Sequence, residues 1–537
     1  MKILVVGGTG GFGSVIARQL CDEGHRITVA GRNKKRGKAF VHANPDIDFV
    51  ELERSAIKPQ DLAAYDIVVD ASGPFQDTLL SLPSAAIAAG IDYLDIADDR
   101  AFIRRVSRLD RKARDAGVRI LSGVSSIPTL SGAVALELAS DMELVESVEI
   151  AITASSKAAF GRAVLLSMLE GAGKPITRAD ETMGRAMASP RTIEIKRDGQ
   201  ATIDRIVLEV DSPDHDTLPT VLPGNPSVTF HAGSELALHN RAIQAIASLV
   251  SRGVISTGTR FLPFASIARR ASAGFGDGRS AMEVRVTGQA GGKRIMRRWT
   301  VVASRNTGPM IPCLSVPAMI EAIKDDRVSS GAGPSIDILA SDEILGRMPE
   351  GSISIETTET RASLYARAMP RFEQVHPAVR ALHDQPMPAA AQGRASVVRG
   401  NSFLVPLIAR LFGFPPASAD TEVRVHFEAH GTGERWTRNF GGTTFSSVLT
   451  ERTGGVSERF GPFSFHFDLK EKEGRLAMVP AGWSMLGMPM PRFLMPSGIA
   501  TEYEEAGRFH FDVPIVLPII GPIVHYRGWL EKPDMEN

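Results

Sequence analysis

The chain is 537 residues long, 43% of them hydrophobic and 23% charged, and 61 Lys and Arg residues balance 61 Asp and Glu residues. This composition is typical of globular proteins, and the length allows two to four domains. The zero net charge offers no electrostatic basis for binding nucleic acid or an anionic membrane. The two cysteines, Cys21 and Cys313, exclude a disulfide framework and a cysteine metal site, so we expect a reducing, cytoplasmic environment.

The first twenty residues have the pattern of a dinucleotide-binding turn. An apolar strand, residues 2–6, runs into three spaced glycines, and a helical apolar pattern follows. Gly7 allows the tight turn, Gly10 lets the backbone approach a pyrophosphate, and Gly13 lets the helix pack closely on the sheet. An empty glycine-rich turn is the alternative interpretation. We predict that the cofactor contacts this turn through Gly7, Thr9, Gly10, Gly11, Phe12 and Gly13.

The second strand pattern, residues 26–31, indicates which dinucleotide binds. An NAD site usually carries Asp or Glu at the end of this strand, where it binds the ribose 2′-hydroxyl. Here Gly31 and Arg32 occupy that place, and residues 33–36 add three more cations. Cations suit a 2′-phosphate, so the sequence favours NADP over NAD, although a solvated basic helix start would explain the same residues.

Strand and helix patterns alternate over residues 1–140, which predicts an α/β domain with a Rossmann-type parallel sheet. The loops after the fourth and sixth strands are expected at the ligand-binding edge of that sheet. The sixth-strand loop, residues 122–132, offers several hydroxyl groups and is expected on the nicotinamide side. The fourth-strand loop is expected to contact the nucleotide through Ser72, Gly73, Pro74 and Phe75.

Two further domains follow in the sequence. Residues 141–345 combine alternating strand patterns with helical insertions, which predicts a mixed α+β domain for substrate binding or dimerisation. Residues 325–359 are rich in Gly, Ser, Pro and charge and indicate a linker. Residues 370–531 carry short alternating strands, beginning at about residue 421, and predict a β-rich antiparallel, barrel-like domain.

Several polar residues are candidates for proton transfer. Asp98, with Asp99 beside it, follows the fifth strand and would lie near the cleft, although an exposed pair at a strand end is the simpler explanation. Glu235 and His239 stand at the entry to a helix and could serve as general acid and base if both faced the cofactor. Capping and pairing on the helix surface explain them equally well.

The sequence does not predict a metal site. His426 and His430 fall in a strand pattern, where four residues separate them by about 13 Å, too far for one metal ion. A cluster of acids with one histidine flanks Pro213 and is interpreted as a polar loop; it comprises Asp211, Asp214, His215 and Asp216. The sequence also lacks a Tyr-x-x-x-Lys pair and a Gly-x-Ser-x-Gly elbow, which disfavours a short-chain dehydrogenase relay and a serine hydrolase.

No segment predicts a membrane span or a signal peptide. The apolar run 513–524 is short and interrupted by prolines, and the run 403–414 holds Arg410. Both are interpreted as buried elements, with peripheral lipid contact left open. The chain starts directly with a strand, so we expect no signal peptide. The run 483–496, rich in Met, Leu, Pro and Phe, is expected to line an apolar cavity or to be plain core.

Together, these motifs resemble the saccharopine dehydrogenase-like NAD(P)-binding family over about residues 1–345. The resemblance rests on the glycine turn, Ser72–Phe75, the Gly-Ile-Asp-Tyr-Leu-Asp strand ending at Asp95, and Gly123–Pro128. Residues 370–531 resemble the DUF4166 domain. Relatives carry acids where this chain has Ser125 and Leu130, and a Gly-Glu pair where it has Ala97 and Asp98, so saccharopine chemistry is not inferred.

The resemblance implies an NAD(P)-dependent oxidoreductase. Hydride would pass between the cofactor and a small or apolar carbonyl, imine or alkene. The alternative is a non-enzymatic nucleotide-binding scaffold whose C-terminal domain binds a lipid or a protein. A small-molecule substrate and a homodimer are expected, and nucleic acid is not.

Overall fold

The computed structural model describes residues 1–76, 78–157, 162–177, 183–188, 190–197, 200–272, 274–291, 293–361, 363–369, 372–385, 387–430, 433–452 and 454–531. These residues form two compact units. The first comprises residues 1–286 and 297–358, and the second comprises residues 287–296 and 359–537.

The N-terminal elements alternate as the sequence predicts. Their strands are buried apolar segments such as Ile3, Leu4 and Val5, which are fully inaccessible to solvent. In chain order the elements are β1 (Lys2–Val6), α1 (Gly11–Asp22), β2 (Arg26–Gly31), α2 (Lys34–Ala43), β3 (Ile47–Glu51), α3 (Pro59–Leu62), β4 (Ile67–Asp70), α4 (Ser81–Ala89), β5 (Asp92–Asp95), α5 (Arg100–Ser107), α6 (Asp110–Ala116), β6 (Arg119–Ser122) and α7 (Ser131–Leu138).

The middle of the chain adds strands and helices that belong to two sheets and a short hairpin. In chain order these elements are β7 (Leu144–Ala154), α8 (Arg162–Gly171), β8 (Pro175–Thr177), β9 (Met183–Arg185), β10 (Pro190–Arg197), β11 (Gln200–Glu209), α9 (Asp214–Val221), β12 (Ser227–Ser234), α10 (Ala237–Ser251), α11 (Leu262–Ser272), β13 (Ser280–Ala290), β14 (Lys293–Ala303), α12 (Ile311–Lys324), β15 (Gly331–Pro334), α13 (Ser341–Leu345) and β16 (Ile353–Arg361).

The first sheet is parallel and has the strand order β15-β6-β5-β4-β1-β2-β3. Six of its strands follow the Rossmann order, which brings the carboxyl ends of β1 and β4 together at a topological switch point. The predicted Rossmann-type fold class is therefore confirmed. The sheet edge at these carboxyl ends is the place where open α/β sheets bind ligands.

The prediction of a linker over residues 325–359 is wrong, because this stretch contains β15, α13 and most of β16. β15 extends the first sheet beside β6, where the Gly331 amide donates to the Val118 carbonyl at 2.9 Å and the Ser335 amide to that of Ser122 at 2.9 Å. Gly, Ser and Pro reflect local turn preference, whereas this edge strand is held by backbone pairing with a distant segment.

The second sheet is mixed, with the order β10-β11-β12-β7-β13-β14-β16. β12 runs parallel to β7, whereas β10 and β11 form an antiparallel hairpin. β8 and β9 form a separate two-stranded sheet. This arrangement confirms the predicted mixed α+β character of the middle region.

The C-terminal strands close into an antiparallel barrel of ten strands. The order β22-β21-β20-β19-β18-β17-β27-β26-β25-β23 is closed by pairing of β22 with β23. The elements are α14 (Leu364–Ala368), α15 (Pro377–His383), β17 (Ala389–Arg399), α16 (Val405–Phe412), β18 (Ser418–His430), β19 (Gly433–Phe440), β20 (Thr443–Arg452), β21 (Gly455–Phe460), β22 (Phe463–Lys472), β23 (Arg475–Met485), β24 (Met488–Pro489), β25 (Ala500–Glu505), β26 (Arg508–Leu517) and β27 (Gly521–Glu531).

Period-two alternation builds the barrel core. In β18, Val423, Val425 and Phe427 are buried, and Arg424 and His426 between them face outward and are exposed. The predicted barrel-like class is confirmed. The first strand, β17, begins 32 residues before the predicted start at residue 421, because its Ala-rich sequence carries little apolar alternation.

Candidate functional site

The glycine turn after β1 lies against the loop after β4. Gly7 has a φ of +77°, and a Cβ atom there would lie 2.7 Å from the Cα atom of Ser72. A Cβ atom at Gly13 would lie 2.4 Å from the Gly7 carbonyl oxygen. Both approaches are too close for any side chain, so the fold itself requires these two glycines. The turn and the Ser72 loop, both predicted to contact a nucleotide, are thus brought together.

The start of α1 presents backbone donors to this edge. Gly10 is the N-cap residue, has an extended backbone, and supplies no side-chain cap. Gly11 is exposed, and Thr9 and Phe12 are half-buried. The first N–H groups of a helix have no intrahelical partner, and the helix dipole favours an anion there. A pyrophosphate therefore suits a cradle that a side chain at Gly10 would fill.

The end of β2 carries the predicted cations at the surface. Arg32 is exposed, with its Nε atom 3.5 Å from a carboxylate oxygen of Glu53. Lys34 lies 3.7 Å from Glu51. Glu51 ends β3 and Glu53 follows it. The tertiary structure therefore places carboxylates beside these cations, which the sequence pattern did not indicate. Asn33 caps α2 by accepting from the Arg36 amide at 2.9 Å.

A buried ionic network supports the loop after β4. Asp70 ends that strand and is fully buried. It accepts from Arg54 Nε at 2.6 Å, Ser72 Oγ at 2.6 Å and Tyr93 Oη at 3.3 Å. Because the Asp70 carboxylate bonds both to Ser72 in the loop and to the distant residues Arg54 and Tyr93, it anchors the loop to the body of the domain. The sequence analysis missed Asp70 and Arg54; an acid that ends an otherwise apolar strand was the available signal.

Asp95, at the end of β5, anchors neighbouring loops in the same way as Asp70. Its Oδ1 atom accepts from Ser122 Oγ at 2.9 Å, the Gly123 amide at 2.9 Å and the Ala97 amide at 3.0 Å. Burial raises the pKa of Asp95 to about 7, although the three hydrogen bonds lower this pKa in part. This carboxyl ties the loop after β6 to the end of β5.

A cavity of about 1010 Å³ opens beside these loops. Gln76, Asp98 and Ile127, from the loops after β4, β5 and β6, form part of its wall. Apolar side chains from the second sheet and from α8, α10 and α11 also line the cavity, including Ile152, Phe230, Met168, Ile243 and Ala265, together with several charged and hydroxyl side chains. The volume is at the upper end of the range for small-molecule sites.

The candidate proton-transfer residues occupy different surroundings. Asp98 is exposed and lines the cavity. Asp99 caps α5 by accepting from the Phe102 amide at 2.7 Å. His239 also lines the cavity, with Nδ1 3.2 Å from Ser234 Oγ and Nε2 2.9 Å from Ser272 Oγ. Burial lowers the pKa of His239, so its imidazole is neutral at neutral pH.

Glu235 is buried and is not part of the cavity wall. It accepts from the Ser156 amide at 3.0 Å, from Ser156 Oγ at 3.0 Å and from the Asp277 amide, and lies 3.5 Å from Arg205. These bonds connect three places in the fold: the segment just after β7, strand β11, and the loop that precedes β13. The structure therefore does not place Glu235 and His239 as a pair facing one space.

The acid-rich cluster around Pro213 was predicted to be a polar loop, but Asp214, His215 and Asp216 form the first turn of α9, where they make structural contacts. Asp216 pairs with Arg100 and Arg104 from α5. Asp214 is buried, accepts from Ser131 Oγ at 2.8 Å and Ser212 Oγ at 2.9 Å, and its pKa is raised by burial to about 6. Within the described ranges, no group of three or more His, Cys, Asp or Glu residues has a metal-binding arrangement.

The barrel encloses its own cavity of about 170 Å³. Its wall is mainly apolar and includes the aromatic side chains of Phe412, Phe427, Trp436, Phe460, Phe465 and Phe511. Arg438 and Glu458 also reach this wall, 3.0 Å apart, with the guanidinium 5.1 Å from the Trp436 ring centre. Burial raises the pKa of Tyr526, on the same wall, to about 12.

The apolar run 483–496 was expected to line an apolar cavity or to be core, and most of it does neither. Only its last two residues, Met495 and Pro496, belong to the barrel cavity wall. Leu486, Met488 and Phe493 are exposed instead. Composition alone could not distinguish an inward from an outward side chain on this irregular segment. No helix in the described part of the chain has the length and apolarity needed to cross a membrane.

Comparison with known proteins identifies two domain families. Residues 3–121 match the saccharopine dehydrogenase NADP binding domain, and residues 375–530 match DUF4166, a domain of unknown function. A trans-acting enoyl reductase of Mycobacterium bovis (strain BCG / Pasteur 1173P2) is 30% identical over 138 residues, which is 24% of this chain and 33% of that protein. A putative trans-acting enoyl reductase of Mycobacterium tuberculosis (strain ATCC 25618 / H37Rv) is 32% identical over 138 residues, with the same shares.

The chain thus spans about a third of the length of the curated relatives it matches. Among solved structures, apo saccharopine dehydrogenase (L-Glu forming) from Saccharomyces cerevisiae is 12% identical, covers 67% of this chain and 99% of its own, and has a TM-score of 0.48. The matches to the saccharopine dehydrogenase NADP binding domain over residues 3–121 and to DUF4166 over residues 375–530 agree with the resemblance carried by the motifs.

Proposed function

We propose that the protein is an NADP-dependent oxidoreductase whose substrate is apolar and occupies the 1010 Å³ cavity of the first unit. One observation carries the proposal. The loops after β4, β5 and β6, at the nucleotide-binding edge of an NADP-binding domain, also form a wall of that cavity. A cofactor held by the glycine turn and a substrate in the cavity would therefore meet at these loops.

The glycine turn and the start of α1 would bind the pyrophosphate, and Arg32 would favour the 2′-phosphate of NADP over the hydroxyl of NAD. When bound, the cofactor supplies a hydride at C4 of its nicotinamide. The network behind Ser72 would keep the loop after β4 rigid, which limits reorganisation during turnover. The apolar wall would exclude water from the reacting atoms.

His239 and Asp98 are the residues proposed to handle the proton. The neutral imidazole of His239 is held between two serine hydroxyls and lies on the cavity wall. A neutral imidazole can accept a proton at neutral pH, and the imidazolium formed in this way can then pass the proton to the substrate. The acceptor would be a carbonyl, an imine or an activated alkene, and the names of the mycobacterial relatives support the alkene.

The test combines isotope transfer with a cavity-filling variant. Purified protein is incubated with NADPH carrying deuterium at C4 and with a panel of apolar enones and ketones, and product deuterium is measured by mass spectrometry. Ala265→Trp places a bulky side chain in the cavity and should raise KM by about tenfold or more, whereas Ile267→Trp, on the same helix but outside the wall, should not. Absence of deuterium transfer to every acceptor would contradict the proposal.

A second candidate role concerns the barrel. Its cavity, lined by apolar and aromatic side chains, favours binding of an apolar molecule, as the scaffold alternative requires. Cavities of about 150 Å³ accept ring-sized ligands such as benzene. Native mass spectrometry of freshly purified full-length protein would show a retained apolar compound. If extraction releases none and no apolar dye binds, the barrel cavity is simply an internal packing space.

A further inference from the structure

One end of the barrel gathers the exposed apolar side chains of the second unit. This apolar end consists of residues 400–417, which include α16, and of residues 441–442, 461–462, 486–499 and 518–520, which connect strands on the same side. Among the described residues of the unit, every exposed large apolar side chain except Val398 lies here: Phe403, Leu407, Leu411, Leu486, Met488, Phe493, Ile499 and Ile519.

Specific contacts join these distant segments into one surface. The Leu486 amide donates to the Pro462 carbonyl at 2.8 Å, and Ser497 forms a bridge with Val516 at the end of β26. The ring of Phe412 lies 5.4 Å from that of Phe463, centre to centre, which fixes α16 against the turn between β21 and β22. The exposed side chains therefore share one end rather than being scattered over the barrel.

α16 is apolar on both of its faces. Val405 and Ala409 are buried against the barrel, and Phe412 lines its cavity. The opposite face carries Leu407 and Leu411, one turn apart, which are 68% and 70% exposed. A helix that is apolar all round normally has apolar surroundings on every side. Contact with an apolar environment would therefore stabilise the exposed outer face of α16.

Charge distinguishes the two ends of the barrel. The five segments of the apolar end contain Arg410 and Arg492, both exposed, and no Asp, Glu or Lys. Asp420 and Glu422, which follow in β18, are paired with Arg394 and Arg424. The turns at the opposite end, residues 471–475 and 505–508, are dominated by charge. The apolar end therefore combines apolar side chains with uncompensated positive charge, although the whole chain is neutral.

We propose that this apolar end docks onto an anionic lipid surface, with α16 lying in the interface. Exposed leucine and phenylalanine side chains would enter the acyl boundary, and Arg410 and Arg492 would contact anionic headgroups. The barrel cavity extends to the same end through Phe412, Pro496 and Leu517, so an apolar molecule in the membrane would lie next to its wall. This role is independent of the proposed reductase activity of the first unit.

Vesicle flotation of the full-length protein tests the proposal. We expect binding to phosphatidylcholine vesicles that contain phosphatidylglycerol. Leu407→Glu with Leu411→Glu should weaken binding by about tenfold or more per leucine, because full burial of a leucine contributes at least that factor. Arg410→Gln with Arg492→Gln should weaken binding to anionic vesicles by about fivefold per arginine, and should leave any binding to pure phosphatidylcholine unchanged.

The matched control is Lys472→Glu, an exposed position at the charged end. It changes net charge by as much as the double leucine variant but should bind vesicles like the wild type. Near-ultraviolet circular dichroism checks that each variant is folded. Wild-type protein that fails to float with anionic vesicles overturns the proposal. So does a wild-type dimer that the leucine variant converts to monomer without any vesicle binding, which would make this end an interface between two copies.

Discussion

Replacing Gly10 by Val should weaken cofactor binding severely while leaving the fold intact. Gly10 has a φ of −78° and a ψ of −178°, an extended conformation that valine adopts readily. Its new Cβ atom would lie 3.0 Å from the Gly7 carbonyl oxygen, which requires a shift of a few tenths of an ångström at most. Because valine is a poorer N-cap residue than glycine, we expect a loss of about 1 kcal/mol in the free energy of unfolding.

The effect on binding should be much larger. The valine side chain would occupy the space through which the pyrophosphate reaches the first N–H groups of α1. A hydrogen bond to a charged group contributes about 1.5–3 kcal/mol, so losing two of them costs about 3 kcal/mol or more. This corresponds to roughly a hundredfold higher Kd for NADPH.

Isothermal titration calorimetry with NADPH measures this difference, and circular dichroism during heating measures the change in Tm. Gly333→Val is the matched control, because a Cβ atom at that position in β15 meets no atom within 4 Å. It should bind NADPH like the wild type. If Gly10→Val binds NADPH within about threefold of the wild type, the glycine turn does not hold the pyrophosphate and the reasoning is refuted.

Three further predictions follow from the same structure. Arg32→Ala should weaken NADPH binding by about fivefold or more and leave NADH binding unchanged; equal losses for both cofactors would remove the assignment of Arg32 to the 2′-phosphate. The Asp95 carboxyl holds its proton up to a pH of about 7 in the folded state, whereas an unfolded aspartic acid loses it near about 4, so wild-type stability should fall by up to about 4 kcal/mol as the pH rises through that window. Asp95→Asn, whose amide oxygen can accept the same three hydrogen bonds, should flatten this part of the dependence in denaturant unfolding; an unchanged slope would contradict the assignment. A fragment of residues 359–537, which keeps α14 and its buried Leu364 and Tyr365, should fold alone, with a β-type circular dichroism spectrum and no nucleotide binding. An unfolded fragment would mean that the barrel needs the rest of the chain.

Local sequence determined the elements that depend on nearest neighbours. The glycine spacing after the first strand is visible because a tight turn and a close helix approach exclude side chains at Gly7 and Gly13. The alternating pattern in β18 is visible because a strand with one buried face repeats every two residues. Both signals come from residues close in sequence, and the structure bears out the elements that they predicted.

Only the tertiary structure decided what depends on distant segments. β15 has no apolar periodicity and becomes a strand because β6 offers it a backbone edge. Glu53, which follows β3, lies beside Arg32 at the end of β2, and Asp70 binds partners from three parts of the chain. The large cavity of the first unit and the apolar end of the barrel are likewise each assembled from segments more than a hundred residues apart. Hydrophobic patterns record which side chains are apolar, whereas chain topology determines which of them meet in a core and which remain exposed together at one surface.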